Sequence, residues 1–204
     1  MKYLSFGLLG LAALALQPTP APAVLMTFVG NLSGANEVPP VATPATGTAT
    51  VILDPTAQTL QVNATFSGLT SNDTMAHIHC CAPLGTNAGV ATIPPAFPGF
   101  PLGVTSGTYS SPVFDLTQPG IYNPAFITLE GGLAQAEAAL IAGIEGEQTY
   151  FNIHTVNNPG GEIRSQLFPA PEPASLALLS SALLGLGLIW RRNKNPVSER
   201  RPEL

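Results

Sequence analysis

Basic residues are scarce between the two ends of this 204-residue chain. Of its seven lysines and arginines, only Arg164 falls between Val24 and Ala170. The same stretch carries nine acidic residues, which are Glu37, Asp54, Asp73, Asp115, Glu130, Glu137, Glu145, Glu147 and Glu162. Because a surface that binds phosphate backbones needs many lysines and arginines, nucleic acid and anionic lipid are poor partners. Such a charge balance suits an exported protein that can hold cations.

The sequence also lacks the common catalytic signatures. It has no G-x-S-x-G, no H-E-x-x-H and no glycine-rich phosphate loop. It has only two cysteines, Cys80 and Cys81, which are adjacent. Neighbouring Cα atoms are about 3.8 Å apart, whereas disulfides usually need about 4.4 Å or more. A strained vicinal disulfide, two free thiols and an intermolecular bridge therefore all stay open on sequence alone.

The N-terminus has the pattern of a secretory signal peptide. Lys2 precedes an apolar run from Leu4 to Leu16, and a proline-rich stretch ends in Ala21-Pro22-Ala23. The run is too short to span a bilayer, which takes about 20 residues. We expect residues 1–23 to be removed by signal peptidase after Ala23, so that the protein is exported.

The C-terminus has three parts in order. Pro171-Glu172-Pro173 precedes an uncharged apolar stretch over 174–190, and Arg191 and Arg192 follow it. The stretch is just long enough to span a bilayer, and the basic cluster should stay cytoplasmic together with the polar tail 193–204. This arrangement over 171–192 resembles the PEP-CTERM sorting signal of Gram-negative bacteria, although the tail is somewhat long for it. The resemblance implies an inner-membrane tether that an exosortase-type protease cuts near the tripeptide, much as a GPI signal's tail is removed.

A period of two dominates residues 24–170, which are enough for one domain. Leu60, Val62, Ala64 and Phe66 share one face of a predicted strand. Further β-type runs are TGTATVILD, TMAHIH, GTYSSPVFDL, QTYFNIHT and GEIRSQLF. GGLAQAEAALIAG predicts a helix that Gly143 can cap, and the proline-rich run AGVATIPPAFPGFPLGVTSG predicts a long surface loop. We therefore expect a mainly β fold, an antiparallel sandwich or barrel with one short helix.

All three histidines fall in two short Ile-His strands. In TMAHIH, His77 and His79 lie on the face opposite Ala76 and Ile78, and His154 lies opposite Ile153 in TYFNIHT. If the two strands pair, His154 sits beside His77 or His79, which makes a three-nitrogen site for copper or zinc. The alternative is a polar strand face on which these histidines only form hydrogen bonds with their neighbours.

Two weaker ligand candidates lie next to these strands. Cys81 continues the phase of His79, whereas Cys80 would point inward. Asn157-Asn158-Pro159-Gly160-Gly161 predicts a hairpin turn, which returns Glu162 to the histidine face. Glu162 could be a fourth ligand, could orient a histidine, or could pair with Arg164.

The segments LSGANEVPPVATPATGTATVILD, FSGLTSNDTMAHIH and TYFNIHTVNNPGGEIRSQL together resemble the CHRD domain, named after chordin and found also in bacterial exported proteins. They occur in family order across 24–168, with Ser165 where the family usually has glycine. The resemblance implies an immunoglobulin-like β-barrel and no established biochemical activity.

Two functions follow from these patterns. The first is a non-catalytic exported module, retained at the cell surface or in the extracellular matrix with polysaccharide or matrix proteins as partners. The second is a copper- or zinc-dependent redox or hydrolytic enzyme built on the three histidines. The latter rests on likeness to part of the copper site of Cu,Zn superoxide dismutase, and analogy at the level of fold is weak evidence of function.

Overall fold

The computed structural model describes residues 25–171. The predicted signal peptide (residues 1–23), the apolar helix over 174–190, Arg191, Arg192 and the tail 193–204 lie outside the described residues. Within residues 25–171 no single helix is long and apolar enough to cross a bilayer. The helices Pro124–Glu130 and Leu133–Glu145 reach that length and apolarity only as a pair, and they are bent by 94°.

The described part of the chain is mainly antiparallel β structure, as predicted. Its ten strands are β1 Met26–Ser33, β2 Thr46–Asp54, β3 Thr59–Ser67, β4 Asp73–Cys80, β5 Gly89–Val90, β6 Gly107–Ser110, β7 Phe114–Asp115, β8 Thr149–Thr155, β9 Ile163–Gln166 and β10 Phe168–Pro169. They form one curled sheet in the order β5-β4-β8-β9-β1-β2-β3-β6, with β10 paired to β1 and β7 to β3. Strands far apart in sequence, such as β4 and β8, are therefore neighbours in the sheet.

The alternation of the long strands determines which face is buried. Leu60 and Val62 of β3 are fully buried, Ala64 and Phe66 are nearly so, and the polar residues between them point the other way. The predicted apolar face of this strand is confirmed. Because side chains alternate across a strand, each long strand contributes one row to the same core, and burial of apolar area stabilises the sheet at about 25 cal/mol per Å².

Most of the proline-rich segment lies on the surface, as the sequence predicts, but two of its aromatic side chains reach into the core. Phe97 and Phe100 are buried, and the ring of Phe100 lies 5.7 Å from that of Phe66 and 6.3 Å from that of Phe151. These two partners belong to β3 and β8, so the aromatic side chains attach the segment to the core of the curled sheet. The sequence did not reveal these buried aromatic side chains, because the segment has many prolines and no periodic pattern.

Two α-helices precede β8, where the sequence predicted one. The first, α1 (Pro124–Glu130), starts at Asn123, whose side chain accepts a hydrogen bond from the Ala125 N–H, and it ends at Gly131 in the left-handed conformation with φ 91°. The second, α2 (Leu133–Glu145), is the predicted helix. Gly143 does not cap it, because the helix continues two residues further.

Candidate metal centre

The pairing of β4 with β8 brings the three histidines together. Met75 lies opposite His154 in this register, and His79 lies opposite Tyr150. The predicted pairing of the two Ile-His strands is therefore confirmed. One ligand atom from each of His77, His79 and His154 lies within 4.8 Å of the other two.

The face that carries the histidines is not open to solvent. Ala76, Ile78 and Ile153 pack into the core on the opposite face, as expected, but His77, His79 and His154 are themselves only 1%, 6% and 5% exposed. The segment before β5 and the turn between β8 and β9 lie over them. The sequence placed the histidines on the face opposite the core, but strand alternation does not show which loops fold back over that face.

Backbone carbonyls define the protonation of two of the rings. His79 Nδ1 lies 3.0 Å from the Ala88 carbonyl oxygen, and His154 Nδ1 lies 3.0 Å from that of Pro159. A carbonyl oxygen only accepts, so both Nδ1 atoms carry the proton and donate. In a neutral imidazole the other nitrogen then offers only a lone pair. Metal-binding histidines are commonly oriented in this way by a second partner.

The two remaining nitrogens face one another. His79 Nε2 and His154 Nε2 are 3.3 Å apart, and with both rings neutral no hydrogen lies between them. Two lone pairs at this distance repel unless a proton or a metal ion joins them. Ligand bonds of about 2.1 Å place two nitrogens of a tetrahedral metal roughly 3.4 Å apart, so this pair already has the spacing that a metal requires.

Burial makes it unfavourable for a proton to be the cation that joins the two Nε2 atoms. Burial, together with the neighbouring His154 and His79, lowers the pKa of His77 to about 3. Burial also lowers the pKa of His79 to about 4, even though its hydrogen bond to Ala88 acts in the other direction, and it lowers that of His154. All three rings are therefore neutral near pH 7, which is the form that ligates metal.

His77 has no hydrogen-bond partner for either ring nitrogen among residues 25–171. Buried polar side-chain atoms nearly always have one, and an unsatisfied buried donor or acceptor costs about 1–3 kcal/mol. The rings of His77 and His154 are 5.0 Å apart, and those of His77 and His79 are 5.6 Å apart. The unpartnered nitrogens of His77 thus belong to the same cluster as the facing Nε2 pair.

A stack of three side chains borders the cluster. The ring of Tyr150 lies 4.6 Å from that of His79, and the guanidinium of Arg164 lies 4.4 Å from the centre of the Tyr150 ring. The Tyr150 hydroxyl also donates to the Ala88 carbonyl that holds His79. Sequence reasoning missed the role of Tyr150. It could have been found because Tyr150 lies on the same face of its strand as His154.

The sequence suggested a pair between Arg164 and Glu162, but the structure does not show one. The Nε of Arg164 lies 3.9 Å from Glu37 Oε2, and both side chains are buried. Burial raises the pKa of Glu37 to about 7, although the attraction of Arg164 acts to lower it. Glu162 is near Arg164 in the sequence, which suggested the pair. Glu37 instead reaches Arg164 from the segment after β1, and no local sequence pattern predicts this long-range contact.

Glu162 is fully buried and lies outside the cluster. One of its carboxylate oxygens accepts from the Thr43 hydroxyl and the Thr70 N–H. The other accepts from the hydroxyls of Thr70 and Thr155 and from the side-chain amide of Asn158. Burial raises the pKa of Glu162, but these hydrogen bonds outweigh it and hold the pKa below its ordinary value. Glu162 therefore fixes the turn that presents the Pro159 carbonyl to His154.

Cys81 is also separate from the histidines. Its Sγ is bonded to that of Cys80, so the structure contains a vicinal disulfide. Both sulfurs lie against α2, where a Cβ on Gly143 would be 2.5 Å from one and 2.8 Å from the other. A disulfide sulfur is not the thiolate that ligates metal, so the cluster consists of three imidazoles.

The fold and the cluster define a class, a mainly antiparallel β domain with three buried, neutral histidines on the sheet face opposite its core. Comparison with known families is more specific. The CHRD domain matches residues 28–167, and on that basis the chain belongs to the CHRD domain family. A PEP-CTERM protein-sorting motif follows at residues 169–193, which marks an exported protein that passes through the membrane and is processed by exosortase. No curated protein and no solved structure matches the chain.

Proposed function

We propose that this protein is a non-catalytic CHRD module of the cell surface or extracellular matrix, and that His77, His79 and His154 hold one copper or zinc ion in it. The observation that carries the metal assignment is the 3.3 Å approach of two Nε2 atoms whose rings both donate through Nδ1. A cation between them removes the repulsion and gives His77 a partner.

The burial of the ligands favours a structural ion over a catalytic one. A catalytic metal keeps an open position for water or substrate, whereas the three histidines are at most 6% exposed. A substrate would have to displace the segments that carry Ala88 and Pro159 before it reached the ion. This geometry therefore gives no support to the second function considered above, a redox or hydrolytic enzyme.

The sorting motif supports a surface or matrix location. We expect the mature chain to start at about Val24 and to end near Pro171, Glu172 or Pro173, after signal peptidase and exosortase have acted. Mass spectrometry of the surface fraction from a host with exosortase tests this expectation. A surface-fraction chain that still contains Trp190 would contradict processing and would leave a permanent membrane anchor.

An uncharged face supports polysaccharide as a partner. Asn31, Thr48, Thr65 and Thr108 lie side by side across four strands, and they line a groove of about 770 Å³ whose other lining residues also carry no charge. Hydroxyl and amide groups match the hydrogen-bonding groups of sugars. Thr48→Val together with Thr65→Val should weaken retention on the host's extracellular polysaccharide, and unchanged retention would remove this face from consideration.

Metal analysis of the exported protein tests the metal assignment. Wild-type protein should carry one equivalent of copper or zinc after reconstitution and desalting. His77→Ala, His79→Ala and His154→Ala should each lose most of it, and the double variants should lose little more because the three residues act as one unit. Thr149→Val, on the opposite face of β8, should retain the metal. Wild-type protein that stays metal-free after reconstitution would contradict the assignment.

A further inference from the structure

The charges around the histidine cluster restrict which ion it suits. Its three ligands are neutral imidazoles, and no carboxylate of residues 25–171 belongs to the cluster. The buried acids Glu162, Glu37 and Asp73 have other partners, since Glu162 accepts from threonines and Asn158, Glu37 lies beside Arg164, and Asp73 accepts from the Val104 N–H. An ion would thus bring its full charge into a buried site, and the desolvation penalty rises steeply with charge.

A fixed positive charge strengthens this restriction. Arg164 stacks on Tyr150, and Tyr150 stacks on His79, so the guanidinium is separated from a ligand ring by one aromatic ring. This charge repels a divalent ion more than a monovalent one, and Glu37, whose pKa burial raises to about 7, offsets only part of it. The number of ligands acts in the same direction, because structural zinc takes four protein ligands and the cluster offers three.

Met75 occupies the position next to the cluster. It lies directly opposite His154 in the register of β4 and β8, and it is in phase with His77 and His79. Side chains that are directly opposite have Cβ atoms about 5 Å apart. Of the two methionines among residues 25–171, Met75 is the one whose register places it on the histidine face, beside His154. Thioethers select Cu(I), whereas imidazole alone suits both copper and zinc.

We propose that the site is a Cu(I) site, in which Met75 supplies a soft fourth donor that selects monovalent copper over Zn²⁺. This inference rests on the proposed function, since it assumes that the three histidines share one ion. It adds the identity of the metal and a residue that determines specificity.

The test is a pair of competition titrations on the purified protein and its Met75→Leu variant. Cu(I) is titrated anaerobically in ascorbate against a chromophoric Cu(I) chelator, and Zn²⁺ is titrated against a zinc chelator. Met26→Leu is the matched control, because Met26 lies in β1 and packs against the core. Thiols are counted in each sample, so that cysteines freed by reduction are not mistaken for the site.

Wild-type protein should bind Cu(I) more tightly than Zn²⁺. Met75→Leu should weaken Cu(I) binding by about tenfold or more, the scale on which supporting groups act on metal affinity, and should leave Zn²⁺ binding unchanged. Met26→Leu should change neither. A sulfur shell in the copper X-ray absorption spectrum should be present in the wild type and absent in Met75→Leu.

The failures of the two proposals can be told apart. If neither ion binds, the proposed metal function is wrong, and this inference fails with it. If Zn²⁺ binds as tightly as Cu(I) or more tightly, the site stands and the copper assignment is overturned. If Cu(I) binds preferentially but Met75→Leu binds it as well as the wild type does, the role of Met75 is overturned.

Discussion

Replacement of His77 by leucine should change the stability of the domain in opposite directions with and without metal. In the metal-free protein His77 is 1% exposed and neither of its nitrogens has a hydrogen-bond partner. Removal of this unsatisfied polar group relieves a penalty of about 1–3 kcal/mol. A hydrophobic side chain of similar volume costs up to about 1.5 kcal/mol in repacking. Without metal, the free energy of unfolding of the variant should therefore equal that of the wild type or exceed it by as much as about 2 kcal/mol.

The metal-loaded protein should show the reverse. An ion present at 100 times its dissociation constant stabilises the wild type by about 2.7 kcal/mol. With only two imidazoles left, the variant should bind far less tightly and lose most of that stabilisation. It should then be less stable than the wild type by roughly 1–3 kcal/mol, since the gain from removing the unsatisfied group persists.

Denaturant unfolding followed by circular dichroism measures both states, once in chelator and once in excess Zn²⁺. Thr149→Val is the matched control, because Thr149 is also fully buried, and its hydroxyl has no partner among residues 25–171. Its effect should be the same in both conditions. If His77→Leu also changes stability equally with and without metal, His77 is a packing residue and the cluster is not a metal site.

Three further outcomes follow from the same contacts. Burial holds the pKa of Glu37 at about 7, above its ordinary 4.5, so the folded state retains a proton between these values that the unfolded state has lost. The wild type should therefore lose up to about 3 kcal/mol relative to Glu37→Gln as the pH rises from 4.5 to 7, and parallel unfolding curves across this range would contradict it. Glu162→Gln replaces an acceptor of five hydrogen bonds, so it should lower stability by about 2–3 kcal/mol and metal affinity by about 10–100-fold through the turn; unchanged affinity would detach that turn from the site. Gly143→Ala should destabilise α2 although alanine favours a helix by about 1 kcal/mol, since its Cβ would meet both sulfurs; a rise in melting temperature would refute this packing.

Features that depend on strand alternation could be predicted from the sequence. The buried row of β3 and the pairing of the two Ile-His strands follow from a period of two and from shared side-chain phase. The same reasoning placed the three histidines on one face. It could not show that this face is buried, because the covering segments around Ala88 and Pro159 carry no periodic signal.

Long-range partners were beyond the reach of local patterns. Glu37 pairs with Arg164 across most of the domain sequence, and Glu162 gathers hydroxyl groups from Thr43 and Thr70. Each of these contacts depends on how the curled sheet brings segments together. The aromatic residues of the proline-rich segment are buried for the same reason, since Phe100 contacts two strands that only the curling of the sheet brings near each other.

The central claim is that all three histidines bind one ion, and their imidazole nitrogens report on it directly. The chain contains three histidines in total, so histidine-selective ¹⁵N labelling gives one ring spectrum for each proposed ligand and no others. Titration with Zn²⁺ or Cu(I), both of which are diamagnetic, should move one ring nitrogen of every histidine together and reach completion at one equivalent, while Nδ1 of His79 and His154 stays protonated. Ring nitrogens that do not shift, or that shift for one histidine alone, would contradict the account.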